Sequence, residues 1–117
     1  MKKILVVDDD VDIGEALQFT FNSAGYKTKT LTKGEEIYKM VDIFKPDAIV
    51  LDVLLSGKDG RTICKNLKAT EKTKHIPILM MSSNEDIGKS TIKVGANNFL
   101  AKPFDIYTLI ETVEGFF

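Results

Sequence analysis

Three short apolar runs that never alternate constrain this chain most. Ile4-Leu5-Val6-Val7, Ala48-Ile49-Val50-Leu51 and Ile78-Leu79-Met80-Met81 are each unbroken over four residues. A strand with one wet face alternates apolar and polar residues, whereas an unbroken run predicts a strand covered on both faces, as in a parallel sheet. Two weaker strands are read at Lys27–Leu31, after Gly25-Tyr26, and Asn98–Ala101, after Gly95-Ala96. Between the strands the period becomes helical. Residues 11–24 put Ile13, Leu17, Phe21 and Ala24 on one face, and Gly25 is a suitable stop. Thr32-Lys33-Gly34-Glu35 reads as a capping box before a helix burying Ile37, Met40, Val41 and Phe44, which Pro46 ends. Residues 61–69 carry Ile63, Cys64 and Leu67. Asn84 can cap a helix to about Val94. Asp105 can cap a last helix with Ile106, Leu109, Ile110, Val113 and Phe117 at helical spacing. The expectation is a single doubly wound α/β domain over residues 1–117, (βα)5, with helices on both faces of a five-stranded parallel sheet.

Composition narrows the function classes. Sixteen basic and seventeen acidic residues leave a net charge of −1, with no basic excess of the kind nucleic-acid modules carry. Cys64 is the single cysteine, so there is no internal disulfide and no Cys-rich zinc site; it reads as a half-buried helix thiol. No apolar stretch is long enough to span a membrane. Met1-Lys2-Lys3 is basic, but Asp8 follows too soon for a signal peptide. The expected setting is the cytoplasm, with no direct nucleic-acid or membrane partner.

In open α/β sheets, sites form beyond the carboxyl ends of the strands. The first run ends on Asp8-Asp9-Asp10, the third on Asp52, the fourth on Ser82-Ser83 and the fifth on Lys102-Pro103. Read singly, Asp8–Asp10 is a solvated turn, Asp52 a strand-end acid, Ser82 a helix cap and Lys102 a surface lysine. Their arrival at one rim is what points to chemistry. Three carboxylates held together repel unless a cation joins them, and oxygen ligands suit a hard divalent ion such as Mg²⁺. With that ion and Lys102 the charge sums to near zero, leaving a site that can take a phosphoryl group on an aspartate.

These residues resemble the receiver domain of two-component response regulators. The resemblance rests on Ile4-Leu5-Val6-Val7-Asp8-Asp9-Asp10, Ile49-Val50-Leu51-Asp52-Val53-Leu54-Leu55, Asp59-Gly60, Pro77-Ile78-Leu79-Met80-Met81-Ser82 and Gly95-Ala96-Asn97-Asn98-Phe99-Leu100-Ala101-Lys102-Pro103-Phe104. It implies a flavodoxin-like strand order 2-1-3-4-5. It implies Asp52 as phosphoacceptor from a histidine kinase or histidine phosphotransferase. Mg²⁺ would be held by Asp8, Asp9, Asp52 and the backbone carbonyl of Leu54, with Asp9 the direct ligand of the acidic pair. Ser82 would be the switch hydroxyl, Phe99 the switch aromatic and Lys102 the phosphate-binding lysine, with a cis Lys102–Pro103 bond. Phosphorylation would alter the face made by the fourth helix, fifth strand and fifth helix for a downstream partner or effector domain. Ile92, off its helix's inner stripe, is a candidate for that face.

The chain departs from the family pattern in places. Ser56 stands where proline is common, so a looser loop is expected. Ser83 replaces a usual alanine and adds a possible donor. Asn97-Asn98 replaces a frequent acidic pair. Leu54 borders the place of a hydrolytic water that an apolar side chain cannot orient. Phe19 lies about 140° from the centre of its helix's apolar face. It is either a singly exposed aromatic or a docking contact, since in the family this helix meets phosphodonor domains. His75 reads as a surface residue. Nothing follows Phe117, so the expectation is a receiver that stands alone or is part of something longer.

Three other readings compete. A calcium loop from Asp8 to Phe19 fails because Ile13 stands where glycine is needed and Phe19 where a bidentate glutamate is needed. A phosphohydrolase of the haloacid-dehalogenase type shares the opening Asp8-x-Asp10 but needs an acidic pair beyond the lysine, where Pro103-Phe104-Asp105 stands. A flavodoxin-like nucleotide binder needs a glycine-rich phosphate loop, and three aspartates there would repel phosphate.

Overall fold

The computed structural model describes residues 1–117. The five expected sheet strands form at β1 (Lys3–Val7), β2 (Lys27–Leu31), β3 (Ala48–Asp52), β6 (Ile78–Ser82) and β7 (Asn98–Ala101). They pair in parallel in the order β2-β1-β3-β6-β7, which is the flavodoxin-like order. Five helices alternate with them: α1 (Val11–Ser23), α2 (Ile37–Phe44), α3 (Gly60–Ala69), α4 (Gly88–Lys93) and α5 (Ile106–Glu114). No helix is long and apolar enough to cross a membrane.

The unbroken apolar runs are explained by two cores. Because side chains alternate along a strand, Leu5, Val7, Ile49, Leu51, Ile78 and Met80 point to one face, where α2 and α3 supply Ile37, Val41, Phe44, Ile63, Cys64 and Leu67. Ile4, Val6, Ala48, Val50, Leu79 and Met81 point to the other, where α1 and α5 supply Leu17, Phe21, Leu109 and Val113. Cys64 is fully buried rather than half-buried. Desolvation pushes its thiol up to about 11, so it stays protonated and unreactive.

Local signals set the ends of the helices. Asp10 caps α1 by accepting the N–H groups of Asp12 and Ile13, and Gly25 takes φ +96° just after it. Asp59 and Asp105 cap α3 and α5 in the same way. The expected capping box at Thr32 does not form. Lys33 occupies the N-cap without a side-chain bond, and the segment opens as a 3₁₀ turn, Gly34–Glu36. The turn starts one residue later than the box requires, so Thr32 is left on the strand side. The segment after Asn84 likewise opens as a 3₁₀ turn, Glu85–Ile87, and leaves α4 only six residues. On α5, Leu109 and Val113 are fully buried, but Ile106 and Phe117 are about half exposed. The helix stops at Glu114, so Phe117 leaves the stripe.

The segment after Asp52 is a finding. Instead of a loose loop, Leu54–Leu55 (β4) and Lys58–Asp59 (β5) close an antiparallel hairpin around Ser56-Gly57.

The edge strand β2 buries Thr28, whose hydroxyl has no hydrogen-bond partner. An unsatisfied buried hydroxyl costs stability, and an apolar group of the same shape removes that cost. Thr28→Val is expected to leave the fold intact and raise unfolding stability by about 1 kcal/mol, measured by urea denaturation.

Candidate functional site

The chain reverses its winding direction between β1 and β3, so their carboxyl ends lie side by side with no crossover between them. Such a switch point is where open α/β sheets leave a crevice. Asp8 follows the end of β1 and Asp52 ends β3, both almost fully buried, while Asp9 is exposed. One carboxylate oxygen from each of Asp8, Asp9 and Asp52 lies within 4.8 Å of the others. Lys102 arrives from the end of β7, where its N–H donates to the Ser82 carbonyl at 2.8 Å. Its ammonium donates to Asp8 Oδ2 at 2.9 Å and stands 3.5 Å from Asp52 Oδ2. The Lys102–Pro103 bond is cis.

Charge and burial oppose each other here. Burial raises the pKa of Asp52, the neighbouring Asp8 raises it further, and Lys102 with the Leu54 N–H pulls against them; the net direction is up. Burial also disfavours the Lys102 ammonium, but its hydrogen bond to Asp8 and the charges of Asp52 and Asp8 outweigh that, and its pKa is raised. One ammonium facing three carboxylates leaves a net negative pocket lined with hard oxygen donors. That donor set suits a small divalent cation.

The backbone around the site is closely fitted. Asp8 Oδ1 accepts the Asp10 N–H at 2.9 Å, which orients the carboxylate as the chain turns into α1. Gly60 donates its N–H to the Val53 carbonyl at 2.7 Å. A Cβ on Gly60 would collide with the Asp52 carbonyl and crowd Met80 Cε at 3.1 Å. The glycine of Asp59-Gly60 is thus what lets α3 start directly against the end of β3.

The remaining expected residues divide. Ser82 is buried beside the site, and its Oγ accepts the Asn84 N–H at 3.1 Å. Phe99 is half-buried, packed on the core and against Gly88, where a Cβ would come to 3.0 Å of its ring. Leu54 is 61% exposed, which leaves its side chain at the rim and out of the core. Ser83 is exposed and lines a groove with Lys102 and Pro103. Asn97 Oδ1 accepts the Ile78 N–H at 3.0 Å, a structural bond that an aspartate could also make. His75, Ile92 and Phe19 are exposed.

Two contributions had no sequence signal of their own. Ser56 Oγ donates to Asp9 Oδ2 at 2.9 Å and ties the hairpin tip to the acidic pair. Arg61 holds Asp59 through Nε and Nη2 and reaches Ser90 Oγ with Nη1 at 3.0 Å, linking the start of α3 to α4. This hydrogen bonding keeps the Asp59 carboxyl below the usual range. Both contacts join residues far apart in the chain, and neither residue type announces its partner.

Comparison with known proteins agrees with this geometry. The alkaline phosphatase synthesis transcriptional regulatory protein PhoP of Bacillus subtilis (strain 168) is 41% identical over 105 residues, covering 88% of this chain and 43% of that protein. The DNA-binding dual master transcriptional regulator RpaA of Synechocystis sp. is 32% identical over 119 residues, covering 97% of this chain and 48% of that protein. The chain therefore spans less than half the length of these relatives. Among solved structures, the chemotaxis response regulator CheY4 of Vibrio cholerae superposes with a TM-score of 0.91 at 30% identity, over 100% of this chain and 99% of that one. The signal receiver domain of a signal transduction histidine kinase from Syntrophus aciditrophicus gives 0.91 at 27% identity, over 99% and 89%. The family model for the response regulator receiver domain matches residues 4–114, and with that match the chain belongs to the receiver-domain family of two-component signalling.

Proposed function

We propose that Asp52 is the phosphoacceptor of a signalling module, charged by a phosphohistidine on a histidine kinase or histidine phosphotransferase. The observation that carries this is the Lys102 ammonium lying against both Asp8 and Asp52 at the end of β3. An Asp52 oxygen attacks phosphorus, the P–N bond breaks, and the imidazole leaves with its electron pair and takes up a proton. The residues that would hold Mg²⁺ are Asp8, Asp9, Asp52 and the Leu54 carbonyl, and the ion would supply positive charge to the phosphoryl oxygens. Lys102 neutralises a further phosphoryl oxygen. The Ser82 hydroxyl turns inward to donate to another, giving up its bond with the Asn84 N–H. Phe99 follows into the space that Ser82 leaves. Its ring lies against Gly88, so the motion reaches the first turn of α4, and the face of α4, β7 and α5, including the exposed Ile92, changes for a downstream protein or effector domain. A local charge event thereby biases a packing element with two arrangements.

Three outcomes test this reading. Incubation with Mg²⁺ and acetyl phosphate, followed by intact mass, is expected to add one phosphoryl to the native chain and none to Asp52→Ala; Lys102→Ala should slow the reaction by about tenfold or more. An equal gain in Asp52→Ala would place the acceptor elsewhere. Leu54 offers nothing to orient water, so the acyl phosphate should be long-lived. Leu54→Asn is expected to shorten its half-life about tenfold, roughly 1.4 kcal/mol in the barrier, as followed by loss of the added mass. The third outcome concerns charge crowding without metal. A raised Asp52 pKa means that stability is fully present below the unfolded carboxyl's value and is lost as pH rises through the folded value. Asp52→Asn should therefore match the native chain in acid and melt higher at neutral pH, by about 4 °C per kcal/mol of relief. Adding Mg²⁺ should narrow that gap by stabilising the native chain.

A further inference from the structure

The acids of the rim are not held alike. Asp8 and Asp52 are almost fully buried, and the Lys102 ammonium lies 2.9 Å from the first and 3.5 Å from the second. Asp8 Oδ1 also accepts the Asp10 N–H. Asp9 is exposed, and its carboxylate has one hydrogen-bond partner, the Ser56 hydroxyl, which donates to Oδ2 at 2.9 Å. An exposed carboxylate with no partner samples several rotamers and loses that freedom when a ligand fixes it. Ser56 is thus the contact that keeps Asp9 in the set of oxygens lying within 4.8 Å of one another.

Ser56 can do this because its own position is fixed. The hairpin pairs Leu54 with Asp59 and Leu55 with Lys58, and Gly57 takes φ +72° at its tip, a conformation that side chains other than glycine rarely adopt. Leu55 is buried in the core. Asp59 caps α3 and is gripped by the Arg61 guanidinium. The tip therefore stands on a base tied down at both strands. Its hydroxyl reaches across 47 positions of the chain, from the hairpin that carries the Leu54 carbonyl to the turn that carries Asp9. One bond joins two of the segments that would supply ligands.

We infer that Ser56 is a positioning residue for the divalent cation, holding Asp9 ready at the rim and biasing the pocket toward Mg²⁺ over Ca²⁺. This rests on the acidic pocket being the ion's site, as in the proposed function. The hydroxyl engages Oδ2, so Asp9 meets an ion through Oδ1 alone unless that bond breaks. Mg²⁺ is small, demands an octahedron and fills much of it with water, so one oxygen per carboxylate suffices and the Ser56 bond survives. Ca²⁺ gathers more oxygens, often both from one carboxylate, and must compete with the hydroxyl for the second. A donor behind a metal ligand orients that ligand, and its loss weakens metal binding.

The test is titration of the full, unphosphorylated chain with Mg²⁺ and, separately, with Ca²⁺, followed by amide chemical shifts at the rim. Ser56→Ala should weaken Mg²⁺ binding about fivefold and Ca²⁺ binding by less than about twofold, so that the preference for Mg²⁺ falls. Ser56→Thr keeps a hydroxyl and should stay within about twofold of the native chain for both ions. Without metal, the Ser56→Ala spectrum should change at the hairpin, Asp9 and Asp10 and match the native spectrum elsewhere, as an intact fold requires. Equal Mg²⁺ affinity in the native chain and Ser56→Ala would overturn the inference. So would a loss for Ca²⁺ as large as that for Mg²⁺, or a threonine variant as weak as the alanine one, because either marks a loosened hairpin in place of a positioned carboxylate. A native chain that binds neither ion would instead overturn the cation reading of the pocket, and this inference with it.

Discussion

The contact on which the rest depends is the Lys102 ammonium, 2.9 Å from Asp8 and 3.5 Å from Asp52. Two carboxylates buried this close together cost free energy whenever both are ionised. The lysine offsets part of that cost and leaves a surplus of negative charge. The surplus, carried on oxygen donors, suits a divalent cation, and with that charge offset one acid could take a phosphoryl group in the proposed reaction. Removing the lysine would leave the acids uncompensated, whereas replacing one acid relieves them.

That contact exists because of sheet topology. Asp8 and Asp52 are 44 positions apart in the chain, yet β1 and β3 are hydrogen-bonded neighbours. Lys102 comes from the far side of the sheet, beyond β6, and its backbone is fixed by the Ser82 carbonyl. Gly60 completes the frame by letting α3 begin against the Asp52 carbonyl. The same frame links site to surface. Arg61 spans from Asp59 to Ser90, and Phe99 touches the start of α4, so two separate contacts run from the rim to that helix.

The surface divides into regions of different chemistry. The rim is acidic, with oxygen donors from Asp8, Asp9 and Asp52 brought together. The α4–β7–α5 side carries the aromatic that the proposed switch moves. Between α1 and α5 lies a groove lined by Phe19, Ile106, Tyr107 and Ile110, while Leu109 and Val113 anchor α5 in the core.

The order of elements and their two-sided burial were legible in the sequence, because a continuous run such as Ala48–Leu51 has one stable environment, between two apolar layers. The polar residues that close such runs, Asp8, Asp52 and Ser82, were legible for the same reason: the end of a buried strand has a fixed place; Lys102 follows the weaker, half-exposed strand β7 and was legible from the motif around it. Contacts made by flexible or exposed groups could not be read. The Thr32 capping box failed because the turn registers one residue later. The loop at Ser56 became a hairpin pinned to Asp9, and Arg61 found Ser90. Each of these depends on which distant backbone segments come within hydrogen-bond reach. Apolar patterning determines the layers, and only the packing of those layers decides which polar side chains meet.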